Sequence, residues 1–248
     1  MPSAVLDGIK TRYEVIGDGP PILMYAPGGF DATIEKWRTQ SIYAKVKFLD
    51  HLPKKYKCIV FDRRECGESG GRVEAITWAH YAKQGKALLE HLKIDRAHIM
   101  GGCMGVSCIL AFAVAYPEAT RSMICWWPVG GAKYRIRAHE RFKAFKADPN
   151  GGPWGPVARP KNYQQILEQM CANLFDRDTA PGAEPEQLMK LDIPALIVPG
   201  KDDSHATSAA RYLEECLPKA QYWDVLPEAQ TADRVLQFLL DVDREAAR

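Results

Sequence analysis

The chain has 248 residues, 46% of them hydrophobic, with 33 Lys and Arg against 31 Asp and Glu and a formal net charge of +2. That length suits one α/β domain carrying an insertion, and so balanced a charge offers no field for nucleic acid. No apolar run approaches the roughly 20 residues that span a bilayer, and the N-terminus lacks a charged stretch followed by an apolar one, so a cytoplasmic protein with no membrane partner is expected. The seven cysteines include no C-x-x-C pair and no His/Cys cluster at metal spacing. An odd number argues against a disulfide framework, and neither a metal nor a cofactor is expected.

Residues 4–9 and 11–16 alternate with period two, and 21–25 form a buried run that stops at Pro27-Gly28-Gly29, so an antiparallel start leading into a sheet is expected. A helix beginning near Ile34 carries Trp37, Ile42, Tyr43, Val46 and Leu49 at roughly helical spacing. Strand 58–61 follows, closed by Asp62-Arg63-Arg64 and a glycine-rich loop. Residues 76–92 read as an amphipathic helix, 97–100 as a strand, and 106–116 as a helix apolar on every side, hence central, stopped by Pro117. Strands at 123–127 and 195–198 are separated by a long insertion with helical stretches at 135–145 and 163–174, joined by a Pro/Gly-rich link at 149–160. A strand at 221–226 and a helix around 232–242 end the chain. Alternation of this kind predicts a doubly wound, mostly parallel sheet.

The turn Gly101-Gly102-Cys103-Met104-Gly105 joins a buried strand to the central helix. A strand that feeds a helix through Gly-x-Cys-x-Gly forces the middle residue into a strained backbone and exposes its side chain. The Met104 N–H and the positive end of the helix then face the space where a carbonyl oxygen would gain charge, and a thiolate there is favoured.

Strand, Gly-Gly-Cys-Met-Gly and apolar helix together resemble the nucleophile elbow of the α/β-hydrolase superfamily, with cysteine in place of the commoner serine. Ala26-Pro27-Gly28-Gly29-Phe30 is similar to that family's oxyanion loop, which implies a donor N–H from Gly29 or Phe30 beside that of Met104. Asp62-Arg63-Arg64-Glu65-Cys66-Gly67-Glu68-Ser69 is similar to the family's Asp-x-Arg-Gly-x-Gly-x-Ser loop, with Glu65 where glycine is usual. Leu196-Ile197-Val198-Pro199-Gly200-Lys201-Asp202-Asp203 resembles the segment bearing the family's catalytic acid, which maps onto Asp203. The resemblance covers nearly the whole chain except the insertion. It implies an eight-stranded α/β-hydrolase core over 1–128 and 189–248, with a small helical cap over 129–188 between strands six and seven.

The family's general base, a histidine, belongs in the loop after the last strand, which here reads Pro227-Glu228-Ala229-Gln230-Thr231 and has none. His51, His80, His91 and His98 fall on flanking helices or at a strand start, far from the carboxyl ends of the strands where sites form. His205, in the loop after strand seven, is the expected base, with His139 in reserve. Asp203 or Glu228 would orient it, because an unanchored imidazole samples both tautomers. A thiol tolerates a poorer base than a hydroxyl does.

Arg64, Glu65, Trp126, Trp127, Arg135, Arg137 and His139 are the candidate substrate contacts. If Arg135 or Arg137 faces inward, the small-molecule substrate is anionic, since guanidinium binds carboxylate through two parallel hydrogen bonds. The leading expectation is hydrolysis of a small ester, lactone, thioester or amide through an acyl-cysteine. The rivals are a lyase or carbon–carbon bond hydrolase on the same scaffold, and a non-catalytic binding protein that lost its base. A homodimer is compatible with this sequence.

Overall fold

The computed structural model describes residues 2–148, 152–154, 159–223 and 228–247. Among them, eight strands make one sheet: β1 (Ser3–Leu6), β2 (Ile9–Ile16), β3 (Pro21–Tyr25), β4 (Lys57–Phe61), β5 (Ala97–Gly102), β6 (Thr120–Trp126), β7 (Ala195–Val198) and β8 (Ala220–Tyr222). Their order is β1-β2-β4-β3-β5-β6-β7-β8. β1 and β2 pair antiparallel, β2 joins β4 antiparallel, and every later pairing is parallel. The sheet is therefore the mostly parallel, eight-stranded α/β-hydrolase fold.

Period two along the central strands assigns the two faces. Leu23, Tyr25, Ile59, Phe61, Ile99, Met123, Cys125 and Ile197 enter one core, and Ile22, Met24, Val60, Met100, Ile124, Trp126, Leu196 and Val198 enter the other. Ten helices are described: α1 (Lys36–Thr39), α2 (Ser41–Val46), α3 (Phe48–His51), α4 (Trp78–His91), α5 (Met104–Ala115), α6 (Ala132–Ala147), α7 (Tyr163–Phe175), α8 (Pro185–Leu188), α9 (Thr207–Cys216) and α10 (Glu228–Ala246). The first core is closed by α4, α5, α7 and α9, the second by α1 to α3 and α10. Residues Met104 to Ala113 of α5 are all buried, which explains a helix with no polar face.

Two element expectations need correction. The single helix expected from Ile34 is three short ones, because Ser41 (φ 40°) and Lys47 (φ 55°) take left-handed backbone that interrupts the helical ladder. The last strand is Ala220–Tyr222, and residues 224–226 of the expected strand lie outside the described residues, as does most of the expected link at 149–160.

The six histidines are divided by the fold. His80 accepts the Thr77 N–H through Nδ1 (2.9 Å) at the start of α4, and His98 is buried between Ser122 Oγ (2.7 Å) and Asp243 Oδ1 (3.1 Å). Burial, partly offset by Asp243, pushes His98 down to about 4. A histidine depressed in the folded state favours folding fully above its unfolded value of about 6.5, and that contribution is lost as pH falls toward 4. His98→Asn is expected to lower the unfolding temperature at pH 7 and to flatten its decline between pH 6.5 and 4; thermal melts across that range check both.

Candidate active site

The site is built on the bend between β5 and α5. Cys103 has φ 55° and ψ −126°, a backbone that no ordinary L-residue adopts without cost. Its neighbours are glycines because the bend brings backbone against backbone. A Cβ at Gly101 would collide with the Gly105 carbonyl, and one at Gly105 with the carbonyl of Tyr25. The thiol is thereby held at the carboxyl edge of the sheet, partly exposed, while the other six cysteines are buried.

His205 and Asp202 come from one short loop after β7. The Asp202 carboxylate accepts the backbone N–H groups of Ser204 (2.8 Å) and His205 (3.0 Å) and lies 2.8 Å and 2.9 Å from His205 Nδ1. One carboxylate thus closes the turn and fixes the ring. The ring also packs against Trp127, with centroids 5.4 Å apart, and backbone pairing with Gly130 anchors the loop to the segment after β6. Nε2 is buried with no hydrogen-bond partner among the described residues, and the ring and the Cys103 thiol line the same cleft.

The three groups shift one another. Burial opposes ionisation of Cys103, but interaction with the His205 ring, followed by the amides of Gly28 and Met104, outweighs it and holds the thiol below its usual range. Burial likewise opposes charging of His205, and Cys103 and Asp202 outweigh it and raise the ring. Asp202 is lowered, its burial more than offset by His205. The arrangement favours thiolate, imidazolium and carboxylate in a row.

The loop that faces the thiol is held from behind by Arg63. This guanidinium is 1% exposed, lies 4.6 Å from the Tyr81 ring centroid, and donates to the carbonyls of Gly28 (3.4 Å) and Gly29. In a trans peptide the C=O and the following N–H point oppositely, so the Gly29 and Phe30 N–H groups are turned away from Arg63. Asp62 fixes the flank of the same loop by accepting the Ile34 N–H (2.8 Å), the Glu68 N–H (2.9 Å) and Arg12 Nη1 (3.3 Å). A cleft of about 530 Å³ opens beyond, lined by Cys103, His205, Phe30, Tyr134, Arg141 and Ser204 among others.

Several residues expected here lie elsewhere. Asp203 points outward to Lys133 Nζ (3.2 Å) and Arg137 Nη2 (3.0 Å), so Asp202, one position earlier, partners His205. Glu228 pairs with Lys45 (3.5 Å) at the start of α10. Arg64 and Glu65 form a buried ion pair (3.0 Å) extended to Glu74, and Glu65 occupies the usual glycine position with φ 65°. They brace a loop and do not line the cleft. Trp126 is 1% exposed between Tyr43 and Phe48. Trp127 has φ 56°, which breaks the strand alternation and puts both indoles on the same side of the sheet, so neither lines the cleft. Arg135 pairs with Asp178 (2.8 Å) and His139 lies 3.7 Å from Asp176, both beside a separate groove of about 740 Å³ between α6 and α7. Arg137, by contrast, does line the recess beside Gly29, Phe30 and Met104, but it is paired with Asp203 and Ser204 Oγ (3.1 Å).

Asp202, Arg63 and Arg141 escape the sequence reading. The spacing Asp202-x-x-His205, with the carboxylate positioned to close a turn on its own loop, is the one signal that could have singled out the first. Among the described residues no group of three or more His, Cys, Asp or Glu side chains could hold a metal, and no helix is long and apolar enough to cross a membrane.

Comparison with known proteins agrees with the architecture. Residues 21–128 match the family model described as the alpha/beta hydrolase fold. The chain is 28% identical over 127 residues to the dihydrolipoyllysine-residue acetyltransferase component of the acetoin cleaving system of Cupriavidus necator, covering 51% of this chain and 32% of that one. It is 28% identical over 123 residues to RutD of Azorhizobium caulinodans, named for carbamate hydrolysis, covering 50% and 43%. The chain therefore matches less than half the length of either relative. The enol-lactonase of Burkholderia xenovorans superposes with a TM-score of 0.64 at 18% identity over 96% of this chain and 100% of that one. The match over residues 21–128 and the superposition agree on the α/β-hydrolase fold.

Alkylation of Cys103 by iodoacetamide is expected to rise with pH to half its maximum below the usual cysteine value of about 8.5. His205→Ala should move that midpoint up, because burial then acts unopposed by the ring, and Asp202→Asn should move it the same way by less. Asp203→Asn should leave it in place. Rates measured by mass spectrometry from pH 5 to 10 check all three.

Proposed function

We propose that the protein is a hydrolase of small acyl compounds that works through an acyl-cysteine at Cys103. The observation that carries this reading is the line Cys103, His205, Asp202, in which a strained thiol faces an imidazole whose far nitrogen is fixed by a carboxylate. The relatives named for carbamate hydrolysis and enol-lactone hydrolysis support the class of bond. We assign the helices of 129–188 as a cap over the cleft. Phe142 and Phe145 of α6 and Phe175 of α7 pack edge-on against Phe30 of the loop beside the thiol.

The Cys103 thiolate attacks the carbonyl carbon, and the electron pair of the C=O moves onto oxygen. The N–H groups of Met104 and of Gly29 or Phe30 hold that oxyanion, helped by the N-terminus of α5. His205 Nε2–H gives its proton to the leaving group as the tetrahedral adduct collapses to a thioester. The neutral imidazole then takes a proton from water, which attacks the thioester and releases the acid, regenerating thiolate and imidazolium. Asp202 keeps Nδ1 protonated and the ring aimed throughout.

Turnover of p-nitrophenyl acetate tests the reading. Cys103→Ala should abolish it, Asp202→Asn should lower kcat/KM by about 10²-fold or more, and Asp203→Asn should change it little. Equal rates for wild type and Cys103→Ala would remove the thiol from the chemistry. kcat/KM should trace a bell, its acid limb below the usual cysteine range and its alkaline limb above the usual histidine value of about 6.5, because the active pair is thiolate with imidazolium. Arg63→Lys, which keeps the charge but loses the fork that spans two carbonyls, should slow acylation in stopped flow by about 10-fold while changing iodoacetamide alkylation far less.

A further inference from the structure

Among the described residues, the cleft beside Cys103 contains one cation that the fold does not use. Arg141, on the third turn of α6, lines both the 530 Å³ cleft and a smaller recess of about 90 Å³ bounded by Gly29, Phe30, Met104, Tyr134 and Phe175. Among the described residues it has neither an ion pair nor a hydrogen bond. Every other basic side chain that α6 brings near is committed: Lys133 and Arg137 to Asp203, and Arg135 to Asp178. Asp31, the one acid among the described residues that line the cleft, is held by Lys36 at 2.6 Å.

The guanidinium lies close over the loop. A Cβ placed on Gly29 would lie 2.8 Å from Arg141 Nη1, so a side chain there would displace the arginine from its seat over the loop. Glycine at 29 lets Nη1 sit close over the loop, where the flexible end of the arginine meets no side chain. It leaves a planar, permanently charged fork facing the space beside the thiol, where a carboxylate could accept two parallel hydrogen bonds.

We propose that Arg141 selects substrates that carry a carboxylate close to the bond being cleaved, and that the compound hydrolysed is a half-ester, lactone or thioester of an acid with a second, free carboxylate. This rests on the hydrolase reading and adds the substrate class to it. The carboxylate lies on the Arg141 fork, the scissile carbonyl lies against Cys103, and the short connecting chain crosses Phe30 and Tyr134. The chemistry that must supply such a compound is one that leaves an acid group next to an ester or lactone, as ring opening or half-esterification of a dicarboxylic acid does.

Two measurements test it. The first compares kcat/KM for mono-p-nitrophenyl glutarate and neutral p-nitrophenyl butyrate. The ratio of the two is expected to favour the anion in wild type, to fall about 10-fold in Arg141→Met, to recover in part in Arg141→Lys, and to hold in Arg135→Met, where the lost charge faces the other groove. An unchanged ratio in Arg141→Met, or an equal fall in Arg135→Met, overturns the proposal. The second uses no turnover: glutarate should slow iodoacetamide alkylation of Cys103 saturably where neutral glutaramide does not, and Arg141→Met should abolish that protection. Absence of turnover of both esters by wild type would defeat the hydrolase reading alone. Equal protection by glutarate and glutaramide, or protection that survives in Arg141→Met, would defeat the assignment of Arg141.

Discussion

Everything in the site depends on the close approach of backbone to backbone where β5 turns into α5. The carbonyls of Tyr25 and Gly105 occupy the space that side chains at 105 and 101 would need, so the chain can make this bend only with glycine on both sides. The residue between them is forced to φ 55° and projects from the carboxyl edge of a sheet whose two faces are both covered. Strain at one residue is sustained because the buried α5 and the parallel pairing of β5 with β3 and β6 hold both ends of the bend.

Around that fixed point the remaining groups arrive from loops, each secured by a charge or amide that makes or breaks no covalent bond in the chemistry proposed. Arg63 holds the 28–29 carbonyls from behind, Asp62 ties the same loop to the segment after β4, and Asp202 closes its own turn before it meets His205. Asp203 links that turn to α6 through Lys133 and Arg137. The helix that carries Tyr134 and Arg141 into the cleft is therefore joined to the loop that carries the imidazole. These exposed pairs are individually weak, and their effect is on position more than on stability.

In the proposed mechanism the placement of His205 compensates for a departure elsewhere. The segment after β8 has no histidine, and α10 begins with Glu228 paired to Lys45. With both imidazole and carboxylate on the loop after β7, the proposed mechanism draws from one short turn what two loops would otherwise share. Its rigidity comes from the Asp202 carboxylate, which accepts two amides and the ring at once, and from Trp127, whose left-handed backbone swings its indole behind the histidine.

The elbow, the parallel strands and the central helix were legible in the amino-acid order because each rests on local rules: period two in a buried strand, an all-apolar helix, glycines flanking a turn. That Cys103 and His205 follow the carboxyl ends of strands was legible for the same reason, since position relative to a strand end is a one-dimensional property. The choice between Asp202 and Asp203 was not, because adjacent carboxylates in a turn point in different directions and only the hydrogen bonds of the folded loop decide which meets the ring. Nor could spacing tell that Arg64 and Glu65 would satisfy each other, that a positive φ would carry Trp127 to the wrong face for the cleft, or that α6 would set Arg135 and His139 on the other groove and Arg141 at the rim of the cleft. Those outcomes depend on which partners lie across space, and charge pairing and helix rotation are settled only when distant segments pack.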